Sequence, residues 1–161
     1  MRPFLPTVLA VAVAVAVALP AAAASLPAQP APIVGTWNVE WEMGRQIING
    51  EATAVIAKGT MTVVVSGDSL LATLTATSRS DNQPLTRPPF TIGGRATATG
   101  AVFTQISEAT LNMNGEERKQ RSIGTWTLQV NGTALTGSVK RVIEGMEMDM
   151  PPAAVTGTRK G

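Results

Sequence analysis

The chain has no cysteine and no histidine. Without cysteine there are no disulfides, so stability must come from a packed core and from strand ladders. No lipid can be attached to a cysteine after an export signal either. The lack of histidine removes the commonest general base and the commonest metal ligand. Ser-His-Asp hydrolysis, Cys-His chemistry and histidine-based zinc sites are therefore excluded. A strong excess of one charge is also missing: 13 basic residues stand against 11 acidic ones, a formal +2. That balance gives no basic face for nucleic acid. No apolar run reaches the roughly 20 residues that a membrane-spanning helix needs. The longest, from Val8 to Leu19, ends at Pro20.

What is there begins with an export pattern. Arg2 supplies a positive start, residues 8–19 an apolar centre, and Ala22-Ala23-Ala24 a small-residue cleavage site before Ser25. Residues 1–24 are expected to be a cleaved signal peptide, which makes the mature protein secreted or periplasmic. Loss of Arg2 lowers the formal charge to +1. Residues 25–32 follow as a linker, in which Pro27, Pro30 and Pro32 favour extended backbone. Residues 33–161 then form one domain of ordinary size.

In that domain helical periodicity gives way to alternation. Trp37, Val39, Trp41 and Met43 share one face of a strand; Asn38, Glu40 and Glu42 share the other. The same period of two runs through Met61, Val63 and Val65, and again through Leu70, Ala72, Leu74 and Ala76. Gly67-Asp68 marks the turn between those two strands. Residues 78–89, with Pro84, Pro88 and Pro89, read as a loop that no central strand tolerates. A short strand starts at Phe90, with Gly93-Gly94 as a bend or turn. Strands at 102–113 and 116–130 flank Asn114-Gly115, and a strand at 133–143 follows Asn131-Gly132. Both dipeptides are hairpin signals. The Asn131-Gly132-Thr133 glycosylation pattern is read as part of that turn. Residues 145–152 are irregular and 154–160 form a last strand. About eight antiparallel strands joined mostly by hairpins predict an all-β, up-and-down barrel.

Gly35-Thr36-Trp37 at the start of the first strand resembles the opening of the lipocalin and broader calycin barrels. Leu135-Thr136-Gly137-Ser138-Val139 matches a looser pattern of small secreted β proteins. The resemblance implies that Trp37 sits at the closed end and that Arg159, near the end of the last strand, packs across it. The two should therefore touch. Gly124-Thr125-Trp126 repeats the motif in mid-chain.

An eight-stranded barrel is either filled by its own side chains or holds one small ligand. The expected function is accordingly a non-enzymatic one: binding of a small apolar or amphipathic guest, with no cofactor and no nucleic acid or membrane partner after cleavage. Trp41, Met61, Val63, Leu74, Phe103 and Trp126 are the expected interior lining. The alternative for these residues is a filled core, and the domain would then serve structure or interaction alone. A second alternative is handling of Cu(I) by Met146, Met148 and Met150, whose period of two puts three soft thioethers on one face. Glu144, Glu147 and Asp149 beside them lack the spacing of a calcium loop. The mixed-charge run 116–121 reads as a solvated or edge-protecting strand. Ser78, Arg79, Ser80, Asp81 and Asn82, with Arg87, form a loop able to act as a lid that recognises a partner.

Overall fold

The computed structural model describes residues 31–113, 116–145 and 150–161, with the side chains of residues 47 and 109–113 left out. Residues 1–30, which hold the expected signal and most of the expected linker, lie outside the described residues, as do Asn114-Gly115 and residues 146–149. Eight strands follow in chain order: β1 (Gly35–Ile48), β2 (Glu51–Ser66), β3 (Ser69–Arg79), β4 (Phe90–Ala96), β5 (Gly100–Met113), β6 (Glu116–Asn131), β7 (Ala134–Ile143) and β8 (Ala153–Arg159). Each pairs antiparallel with the next, and β8 returns to β1, so the sheet closes into an up-and-down barrel. The seam runs from Trp37 opposite Arg159 to Trp41 opposite Val155. Closure leaves no edge exposed along the body of the barrel.

Alternation decides which side chains go inside. Trp37, Val39 and Trp41 of β1 meet Met61 and Val63 of β2, Leu70, Ala72 and Leu74 of β3, and Phe103, Trp126 and Leu128 across the barrel, in one buried cluster. The intervening positions are mostly threonine, asparagine, lysine and glutamate, with Val64 the exposed aliphatic exception on β2, and face outward.

The turns follow backbone chemistry, with three departures from the expected boundaries. Asn49 and Gly50 both adopt positive φ, 52° and 83°, as a two-residue hairpin turn demands. This turn lets β1 and β2 run as far as Ile48 and Glu51, well past the segments assigned from alternation alone. Gly93-Gly94 does not turn the chain. Both residues lie within β4, and the reversal comes at 97–99, closed by the Thr97 N–H on the Gly100 carbonyl at 3.0 Å. Gly94 is glycine because of packing: a Cβ there would lie 2.5 Å from Cδ1 of Phe103 and 2.3 Å from the Val102 carbonyl oxygen. The turn after β6 consists of Gly132 and Thr133, between paired Asn131 and Ala134, one residue later than expected. Positive φ is needed at Gly132 (61°), as at Gly67 (59°) before Asp68.

The two ends of the barrel differ. Turns 67–68, 97–99 and 132–133 gather at the end where β1 begins. The opposite rim carries the 49–50 turn, the 80–89 loop, the far ends of β5 and β6, and residues 144–145 and 150–152. Two hairpins overhang that rim. β1 pairs with β8 only as far as Trp41 but with β2 to Ile48. β6 pairs with β5 from Glu116 but with β7 only from Ser122.

Candidate functional site at the open end

One end of the barrel is plugged. Trp37 is fully buried, and its indole N–H donates to the Ile33 carbonyl at 2.8 Å. The Arg159 guanidinium carbon lies 4.3 Å from the centre of the indole ring. The same guanidinium donates to the Val34 carbonyl at 3.0 Å and to the Pro32 carbonyl. The first and last strands are thus clasped together over the floor by one cation. Gly35 belongs to the clasp: its φ is +128°, and a Cβ there would come within 2.8 Å of Arg159 Nη1. In the second copy of the motif, a Cβ at Gly124 would meet only ordinary contacts at 3.6 Å. The repeat shares letters and not a role.

Trp41, Met61, Val63, Leu74, Phe103 and Trp126 all lie inside the barrel, none more than 3% exposed. They pack against one another, and none of them lines the clefts at either end. Any room for a guest lies above them.

Toward the open rim the inward positions change character. In β5 the inward series runs Phe103, Gln105, Ser107; in β6 it runs Trp126, Gly124, Ser122; in β7 it runs Val139, Arg141, Ile143. Ser122 is the buried polar residue among those described. Here the interior is hollow. A cavity of about 180 Å³ lies among Met43, Gln105, Ser107, Gly124, Arg141 and Met150, with Arg87 at its edge. A second, of about 210 Å³, lies on the other side of Arg141, against Gly44, Val139, Pro151 and Ala153. A third, of about 240 Å³, joins Met43, Gln46, Val55, Arg79 and Arg87. A larger concavity of about 700 Å³ at the plugged end, between the 67–68 and 97–98 turns, is an open outer groove whose one charged residue is Asp68.

Arg141 is the centre of the mouth. A bulge at Glu42/Gly44 leaves Met43 out of register with β2 and turns carbonyls of β1 inward. Arg141 donates to the Glu42 carbonyl at 3.1 Å and, at a longer 3.5 Å, to that of Met43. Burial lowers the pKa of its guanidinium, the nearby charge of Arg87 lowers it further, and Glu42 acts in the opposite sense. Among the described residues no carboxylate forms an ion pair with Arg141 or Arg87. Below them, Gln105 Oε1 accepts the Trp126 indole N–H at 3.2 Å.

Arg87 arrives on a well-anchored loop. Arg79 makes two bonds to Asp81, at 2.9 and 2.6 Å. The Ser80 N–H donates to the Ile56 carbonyl, and its hydroxyl accepts from the Ile56 N–H at 3.0 Å. Asn82 takes a left-handed conformation (φ 56°), and the Gln83 N–H donates to Asp81 Oδ1. The paired Arg79 guanidinium holds the Asp81 carboxyl below the usual carboxylate range; burial partly opposes this, and the Gln83 N–H adds to it. The carboxylate's contribution is therefore complete above the ordinary aspartate value of about 3.9 and is lost as pH falls through the lowered one. Asp81→Asn should release the loop at neutral pH: amides 80–83 exchange faster and trypsin cuts sooner at the Arg79–Ser80 bond (Arg87, followed by Pro88, is no trypsin site). Unchanged exchange and cleavage in that variant would exclude the anchor.

Met150 borders the cavities on both sides of Arg141. Met146 and Met148 lie outside the described residues. Among those described, no group of three or more His, Cys, Asp or Glu residues comes together. Comparison with protein-family models, curated proteins and solved structures returned no match. The class that the structure defines is the eight-stranded, closed, antiparallel barrel with one plugged and one hollow end.

Proposed function

We propose that the chain is an exported, non-enzymatic binding protein that holds one small amphipathic guest in the open end of its barrel. The observation that carries this reading is the change inside the barrel above Trp126, where a solid apolar core becomes a set of cavities around Arg141. Small-molecule sites combine apolar walls with a few placed polar groups. Met43, Val139, Ile143 and Met150 supply the first; Gln105, Ser107, Ser122 and Arg141 supply the second. The plugged floor makes the mouth the way in. A lipocalin-type ancestry is part of the proposal, supported by the Gly35-x-Trp37 start and the Arg159 clasp. Export is supported by the pattern of residues 1–24.

The test is titration of the purified protein with N-phenyl-1-naphthylamine and with decanoate, followed by tryptophan fluorescence and calorimetry. Saturable binding at one site is expected for at least one probe. Gly124→Leu, which fills the mouth from a position where a Cβ meets only ordinary contacts, should abolish it without lowering the melting temperature by more than a few degrees. Absence of saturable binding for both probes, or full binding by a folded Gly124→Leu variant, overturns the proposal.

A further inference from the structure

Resting on that reading, we infer that the guest carries an oxyanion head, which Arg141 holds from below and Arg87 from the loop above. A guanidinium has five N–H donors and no acceptor. Arg141 commits donors to the carbonyls of Glu42 and Met43. Those bonds fix the group across the mouth, between the two cavities, and leave other donors free to meet a guest. Carbonyls are neutral, so they orient the cation without cancelling its charge. Arg87 lines the same cavity as Arg141 and brings a second positive charge to it. Two like charges in a partly desolvated cleft oppose each other, and an anion between them relieves both the repulsion and the loss of hydration.

The floor of the site has the same polarity. The Trp126 indole N–H can only donate, so the Gln105 atom facing it must be the amide oxygen. The two amide N–H donors of Gln105 remain for a guest. Two carboxylates border the cavities, and each has its own cation: Glu42 pairs with Arg45 at 2.9 Å, and Glu108 faces Lys119 at 3.8 Å. Volumes of about 180 and 210 Å³ are smaller than the roughly 300 Å³ at which drug-sized pockets begin. The site suits a head group with a short stretch of chain beside Met43 and Met150, and not a large rigid ligand.

The experiment compares four probes of equal chain length: decanoate, decyl phosphate, decanol and decylammonium. The two anions are expected to bind at least about tenfold more tightly than decanol, and decylammonium most weakly, as charge-assisted hydrogen bonds require. Their order separates a carboxylate site from a phosphate site. Arg141→Met keeps side-chain length and should cost at least about tenfold for the anions, with decanol changed less than about twofold. Arg87→Gln, on the exposed loop, tests the same charge with no risk to the core and should cost the anions severalfold. Equal binding of decanol and decanoate, or anion affinity unchanged in both arginine variants, overturns the oxyanion assignment while leaving the binding site standing. If none of the four probes binds, the binding proposal itself falls.

Discussion

Trp37→Ala is expected to lower the free energy of unfolding by about 3–5 kcal/mol, the usual cost of removing a fully buried large aromatic. Three losses combine. The indole vacates the centre of the plugged end, the Ile33 carbonyl loses its buried N–H donor, and Arg159 loses the ring beneath it. Arg159→Ala should cost less, because its contact with the ring is worth about 0.5–2 kcal/mol. The rest is hydrogen bonding to the carbonyls of Pro32 and Val34. The double variant should be less destabilised than the sum of the two single ones, since both remove the same stacking contact. Urea unfolding followed by far-ultraviolet circular dichroism measures all three. A single-variant loss below about 1 kcal/mol for Trp37→Ala, or strict additivity, would mean that the clasp does not hold the seam.

Trp126→Ala should be the other severe change, again by about 3–5 kcal/mol. Trp126 forms the boundary between the packed core and the hollow mouth. It is 1% exposed, it touches Phe90 with ring centres 6.4 Å apart, and its N–H holds Gln105. Removing it joins an apolar void to the cavities above. Trp126→Phe keeps most of the apolar volume and loses the donor, so its cost should be nearer 1 kcal/mol. The two variants separate packing from positioning: the phenylalanine variant should stay folded yet bind guests with altered selectivity, because Gln105 is then free to rotate. Equal stability of the alanine and phenylalanine variants would show that the core does not rest on this side chain.

The barrel therefore divides its labour along its axis. From the plugged end to Trp126 the interior stabilises, through Trp37, Met61, Leu74 and Phe103. Near the rim it is left hollow, at the expense of a partly buried cation. The β1 bulge links the two halves. It breaks one rung of the ladder and gives Arg141 backbone carbonyls to hold, so the cation is oriented by neutral groups and not by an ion pair.

Much of this was legible in the residues. Alternation is local: it follows from the pleat of a single strand, so the eight strands and the buried faces of Trp37–Trp41, Leu70–Leu74 and Trp126–Leu128 could be read directly. Gly67-Asp68 and the pairing of Trp37 with Arg159 could be placed as well, one from turn chemistry and the other from the geometry of closing an up-and-down barrel. The boundaries that shifted did so for reasons outside the strand concerned. Gly94 stays extended because Phe103 needs its side-chain space, which only the pairing of β4 with β5 creates. The Asn49-Gly50 signal was in the sequence and marks the true end of β1.

The site was the part that alternation could not locate. Period two says that Gln105, Ser122 and Arg141 share the inward side with Phe103, Trp126 and Val139, and polar residues in that series were the available signal. It does not say how far along the axis each one lies. Depth depends on the stagger between neighbouring strands, summed around the closed barrel, and on the bulge that shifts β1 by one residue. The sequence by itself determined an all-β chain with one face of each strand buried. The tertiary structure decided which of those inward residues fill the core and which surround open space, because that choice is made by register between strands and not within any one of them.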